Sequence, residues 1–428
     1  MANSKLIKPG IILCLFSLLL NSTLLCNFSN AETITGRNVQ HNPLIEKIKL
    51  AMDANYRMDS ERSEDIFNEA VNEWPEDPMP YLFKGGLYLN KFRYLNDNIE
   101  EERARLKEQI LYLNNKVIDI ARRRIEDDPD NVRAYYCMGG ANGNLGRFYI
   151  LNGQWWKGFW KGKKGFKILE KIVEKDHKYY DAYLGLGIYH YFSATLPKVV
   201  KVLSFLLGGP KGDKEKGIRE LKLVRDNGTL LPVEARRVLL RVFRFERDWN
   251  GFYQTSKWLA EHYPENSYFQ IPYIYGLTKE RQYSTAQHQL SKVDSLLEND
   301  PSRLPLSVRV KYYRYSGLLD YNLGEYSESV QSYLSAIDLS RSKWPPERIW
   351  PEDYYYLATA YAGLKKEKEA FKYLRKAIIK DWKMVDFEEQ PEWQPYRHSI
   401  TNRAVSQIRV EDPRTKDAED KKEKLKYR

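Results

Sequence analysis

The residues of this 428-residue chain that could do chemistry are six histidines, three cysteines and one loop of glycines and lysines. A zinc hydrolase places two histidines one helical turn apart with a glutamate beside the first. His41, His177, His190, His262, His288 and His398 form no such His-Glu-x-x-His pair. Cys14 and Cys26 lie within the first thirty residues, leaving Cys137 without a second thiolate for a zinc site. Set between Tyr136 and Met138, Cys137 reads as a small buried hydrophobe. The loop "GGPKGDKEKG" (Gly208 to Gly217) has the glycines and lysines of a phosphate-binding loop. It lacks the Gly-Lys-Ser/Thr ending that contacts the terminal phosphates and magnesium, and no strand precedes it. It reads instead as a turn between helices, with Asp213 as N-cap of the second. His190 falls on the core-facing side of a helical pattern and reads as a packed, hydrogen-bonded ring. There is no Gly-x-Ser-x-Gly elbow, and Asp127–Asp128 and Glu388–Glu389 fall at expected helix ends. No catalytic residue, metal ligand or cofactor site is assigned on this basis.

A second constellation suits binding rather than catalysis. "GQWWKGFWKGKKGFK" (Gly153 to Lys167) packs three tryptophans, two phenylalanines and five lysines into one short stretch. Rings alternating with ammonium groups fit a nucleic-acid groove or an anionic membrane surface, and equally a helical hairpin with a solvated edge. Helical spacing puts Leu151, Trp155 and Phe159 inward, with Gly158 where a small residue is needed. Trp155–Phe159 and Trp156–Trp160 form i,i+4 ridges. Gly162 and Gly165 are expected to break and restart the helix, with Lys161, Lys163 and Lys164 at the C-terminus so created. On this reading most rings are core, and Trp156 is the one least explained by packing.

These residues must be positioned by helices. Strand alternation is nearly absent, and apolar residues recur at spacings of three and four between short Gly, Pro and Asp clusters. In "YYYLATAYAGLKKEKEAFKYLRKAI", Tyr354, Leu357, Ala358 and Tyr361 line one helix face. Gly363 marks the turn, and Ala370, Leu374 and Ala377 line the facing helix. This spacing resembles the tetratricopeptide repeat. Tyr313, Gly317, Tyr333 and Ala336 repeat it upstream around the turn "NLGEY". Weaker copies start at Phe67 and Ala70, Tyr81 and Gly85, Tyr135 and Gly139, and Tyr183 and Gly187. The N-terminal copies are spaced wider than the standard repeat, which predicts extended helices. The fold class expected is all-α, a tetratricopeptide-like helical-hairpin solenoid.

"DAYLGLGIYHYFSATLPKVVKVLSFLLGGPKGDKEKGIRELKLV" (Asp181 to Val224) carries a narrower resemblance, to the tetratricopeptide repeat 39 and inclusion-body-clearance family. Leu196, Pro197, Gly208, Gly212, Asp213, Gly217 and Leu221 are the matching residues. The resemblance implies a helical fold and a non-enzymatic interaction protein.

The first residues predict export. Lys5 and Lys8 precede an apolar run from Ile11 to Leu20, and Ser29 and Ala31 are the small residues of a cleavage site. Lipidation at Cys26 is the alternative, though Leu25 fits that processing poorly. Removal of residues 1–31 takes the net charge from +11 to about +9. The expected organisation is a signal peptide (1–31), N-terminal repeats with extended helices (32–230), C-terminal tetratricopeptide repeats (231–400) and a charged tail (401–428). No transmembrane helix is expected in the mature chain; peripheral envelope association stays open.

Stacked hairpins leave a concave surface suited to a peptide or a partner's helix. The repeat register sets Lys311, Arg314 and Tyr321 toward that groove in one unit, and Tyr355 and Thr359 in the next. Such a Lys, Arg and Tyr lining suits an acidic segment or a terminal carboxylate. The expected function is therefore a non-enzymatic, periplasmic or envelope scaffold for protein partners, with no nucleic acid as natural ligand. The alternatives are an anionic-surface binder acting on lipid or nucleic-acid phosphate, and an uncharacterised enzyme with its site in the groove.

Overall fold

The computed structural model describes residues 42–95, 100–196, 208–209, 211–299, 304–342 and 349–381. The expected signal peptide with Cys14, Cys26 and Ala31, Pro197 of the family-like motif, Glu388–Glu389 and the charged tail lie outside the described residues. Every described element is helical, and consecutive helices pair as hairpins, so the chain is an all-α, tetratricopeptide-like helical-repeat protein. It divides into two compact units, the first ending at Gln270 and the second starting at Ile271.

Unit 1 contains α1 (Pro43–Tyr56), α2 (Ser60–Glu73), α3 (Pro78–Tyr94), α4 (Glu100–Asp127), α5 (Val132–Leu151) and α6 (Trp155–Lys175). It continues through α7 (Tyr183–Thr195), α8 (Lys214–Asn227), α9 (Pro232–Glu246) and α10 (Trp249–His262). Helix α11 (Ser267–Lys279) carries the boundary. Unit 2 continues with α12 (Tyr283–Asn299), α13 (Leu306–Leu323), α14 (Tyr326–Ser342), α15 (Pro351–Gly363) and α16 (Glu367–Asp381).

Local chemistry sets the helix starts. The side chains of Asn42, Asp59, Asp77, Asn131 and Asp248 each accept an N–H from the first turn that follows. Asp213 does the same for Lys216 at 2.9 Å, so the glycine-lysine loop is a helix cap, as its sequence indicated. The extended helices expected in the N-terminal half are present: α4, α5 and α6 have 28, 20 and 21 residues.

Two sequence expectations need correcting. The first concerns the stretch after Gly153: α6 runs unbroken from Trp155 to Lys175, through Gly162 and Gly165. Gly158 and Gly165 are contact points, whereas a Cβ on Gly162 would meet open space. A Cβ on Gly165 would lie 2.8 Å from the Gly139 carbonyl oxygen, and one on Gly158 would strike the Ile150 side chain at 2.4 Å. Lys161, Lys163 and Lys164 therefore sit in mid-helix, not at a helix end. The second concerns the expected division after residue 230, which falls inside unit 1. Buried Asp181 accepts from the Leu231 N–H at 3.1 Å, and the Tyr56 hydroxyl donates to Glu234 at 2.9 Å. Asn266 also donates to the Tyr56 carbonyl, so the array of unit 1 curls until α1 meets its last elements.

Candidate functional site

In unit 2 the repeat register of the sequence is observed, but most of the expected groove residues are not on an open surface. Tyr354, Leu357, Ala358, Ala370, Leu374 and Ala377 are all buried at the α15–α16 crossing. Tyr361 and Tyr373 stack at 5.6 Å. Arg314 is buried and donates through two nitrogens to Asp353, one of the bonds at 2.8 Å. The indole of Trp350 covers the guanidinium at 3.9 Å, and the Trp350 N–H donates to the same carboxylate at 2.8 Å. Thr359 is buried with its hydroxyl given to the Tyr356 carbonyl, and Tyr355 is buried too. The expectation that Arg314, Tyr355 and Thr359 line a groove is thus corrected: Asp353, one turn into α15, neutralises the arginine inside the unit. Lys311 and Tyr321 are half-buried, Tyr321 packing on Tyr326 and Tyr356. Repeat spacing assigned faces correctly, but could not show that a partner for Arg314 waits on the next hairpin.

Unit 1 holds a recess that sequence reasoning missed. It lies between α6, α7 and α8, with a volume of about 250 Å³. Glu170 and Glu174 come from α6, Tyr183 and His190 from α7, and Lys216 and Glu220 from α8. Val173 and Leu186 supply apolar wall, and exposed His177 stands in the connection at its edge. The helices can surround so small a space because α7 and α8 cross on facing glycines. A Cβ on Gly217 would lie 2.7 Å from the Gly187 carbonyl oxygen, and one on Gly187 would lie 2.9 Å from that of Gly217. Gly212 is pressed against Ala194 N in the same way, and Leu221 is fully buried. Gly212, Gly217 and Leu221 of the family-like motif thus help to build this crossing, while Gly208 lies against Lys163 of α6.

At the base of the recess His190 Nδ1 lies 2.6 Å from Glu220 Oε2, both side chains buried, with the Phe166 ring edge-on to the imidazole at 5.2 Å. His190 is therefore packed, as expected, yet it also lines a cavity. The other Glu220 oxygen lies 3.9 Å from Lys216 Nζ. Tyr183 donates to the His177 carbonyl at 3.3 Å, and burial, then the Glu220 charge, pushes its phenol upward, so it stays protonated. Three carboxylates face one lysine and two histidines, an arrangement that attracts cations. Among the described residues no group of three or more His, Cys, Asp or Glu is placed to hold a metal ion. Only the i,i+4 pair Glu170 and Glu174 was legible in advance; its meeting with Glu220 from another hairpin was not.

No protein-family model matches the chain, and neither does any curated protein. Among solved structures it is similar to yeast Tom70, at 11% identity over 87% of this chain and 97% of that one, with a TM-score of 0.30. It is also similar to the human IFIT1 dimer with m7Gppp-AAAA, at 12% identity over 80% and 73% of the two chains and a TM-score of 0.26. The human IFIT1 dimer with PPP-AAAA gives 12% identity over 74% and 68%, with a TM-score of 0.25. Scores this low carry no inference about the present chain, whose fold class rests on its own paired helices.

Proposed function

We propose that this chain is a non-enzymatic scaffold of the cell envelope that holds a partner polypeptide by a basic side chain. The observation behind this reading is the recess of unit 1. Its volume of about 250 Å³ falls below the roughly 300–1,000 Å³ of small-molecule pockets, yet admits one long side chain. Its carboxylates would meet an ammonium or guanidinium group, while Val173 and Leu186 pack the methylene stem. With Arg314 already neutralised by Asp353, the preference passes from an acidic to a basic segment. Stacked hairpins commonly display such sites along an extended surface. Export and a role in envelope assembly are part of the proposal and are supported by the leader-like residues 1–31. In a fluorescence anisotropy titration, lysine- and arginine-bearing peptides should bind, and the Glu170→Lys/Glu174→Lys variant should lose that binding at least tenfold. Equal binding of acidic and basic peptides, or no effect of the charge reversal, would refute the reading.

A further inference from the structure

The exposed face of α6, whose last turns carry Glu170 and Glu174 of the recess, has no role described so far in its first turns. Trp156, the ring least explained by packing, is 58% exposed, and Trp160, counted among the core rings, is 42% exposed. Lys157, Lys164, Lys167 and Lys171 are exposed as well. At 100° per residue, Trp156, Trp160, Lys164, Lys167 and Lys171 fall on one stripe, opposite Gly158, Gly165, Leu169 and Ile172, which face α5 and the core. From Trp155 to Leu169 the helix carries five lysines and no acidic residue. The N-cap residue Gln154 makes no side-chain capping bond, so the positive end of the helix dipole adds to this charge.

We propose that this face docks the protein onto an anionic lipid bilayer. The helix would lie along the headgroup layer, Trp156 and Trp160 entering the interface and the lysines pairing with lipid phosphate. The ring geometry favours lipid over nucleic acid. Phe159 stacks on Trp156 at 6.1 Å, Trp160 meets Trp156 edge-on at 5.8 Å, and the Lys163 ammonium covers the Trp160 ring at 4.7 Å. These contacts take up part of each ring's face, whereas a bilayer takes up the cluster as one apolar body with polar edges. No described helix is long and apolar enough to cross a membrane, so the attachment is peripheral.

Co-sedimentation of the purified, cell-processed chain with vesicles tests this. Vesicles containing phosphatidylglycerol should bind it, pure phosphatidylcholine should bind it at least tenfold more weakly, and raised salt should weaken the first. Trp156→Ala/Trp160→Ala should cut binding about tenfold, and Lys164→Glu/Lys167→Glu/Lys171→Glu should abolish it. Unchanged helical circular dichroism would show that these exposed positions do not hold the fold. Variants that bind as the parent does would overturn the proposal, as would preferential binding to a single-stranded oligonucleotide that the tryptophan variant retains. Peptide binding at the recess is measured separately, so either proposal can fail alone.

Discussion

In unit 1 the α5–α6 and α7–α8 hairpins cross on facing glycines, whereas in unit 2 the α15–α16 hairpin crosses on Ala358 and Ala370. Glycine lets two backbones touch, as Gly187 and Gly217 do where α7 and α8 cross beside the recess. Alanine holds the standard separation and a closed core. The buried side-chain pairs follow the same division. His190–Glu220 opens on a cavity, while Arg314–Asp353 is sealed beneath Trp350. A buried polar pair closed from water serves as framework, whereas one beside a cavity keeps a face open to it.

The largest effect that would break this contrast is expected at the sealed pair. Asp353→Ala should destabilise unit 2 by about 3–5 kcal/mol in denaturant melts, because Arg314 would remain buried and uncompensated. Replacing both partners, Arg314→Met with Asp353→Leu, should cost far less; equal losses would mean that the pair is not sealed. Next in size is Gly165→Ala, whose methyl has no room beside the Gly139 carbonyl and should cost about 1–3 kcal/mol by the same assay. Ala370→Gly in unit 2 sharpens the comparison from the other side. It removes a fully packed methyl and a good helix former, at roughly 1 kcal/mol, and a larger loss than Gly165→Ala would invert the argument.

The smallest effect is a pH dependence. Burial pushes Asp181 up to about 6, against the bonds it accepts from Thr229 and Leu231 N–H. Between pH ~4 and ~6 the folded chain keeps a proton that the unfolded chain has released. The stability from this group is therefore present below pH ~4 and is lost as pH rises through about 6. Asp181→Asn should flatten that part of the stability curve. Asp320, raised by burial to about 6 in unit 2, should show the same sign. A steeper curve in Asp181→Asn would contradict the assignment.

The helical hairpins, the N-cap at Asp213, the long N-terminal helices and the buried faces of α15 and α16 were all legible in the sequence. They depend on neighbours three and four residues apart and on caps that a side chain makes with its own first turn. The glycines of α6 were misread for a related reason. Propensity treats Gly162 and Gly165 as breakers, but contact with α5 stabilises the helix and overrides about 1 kcal/mol of local preference per glycine.

Sequence alone determined that this chain folds as tetratricopeptide-like helical hairpins, and which face of most helices is apolar. Tertiary structure decided which charges meet. It placed Asp353 against Arg314 and Glu220 in one recess with Glu170, and it turned Trp156 and Trp160 outward on a helix whose inner face is claimed by glycine contacts. The physical reason is range. Helical periodicity is written between near neighbours, whereas the neutralisation or exposure of a side chain depends on residues that only packing brings close. The stretch from Gly153 to Lys167 shows both: its helix was readable, but the fate of its rings was set by α5.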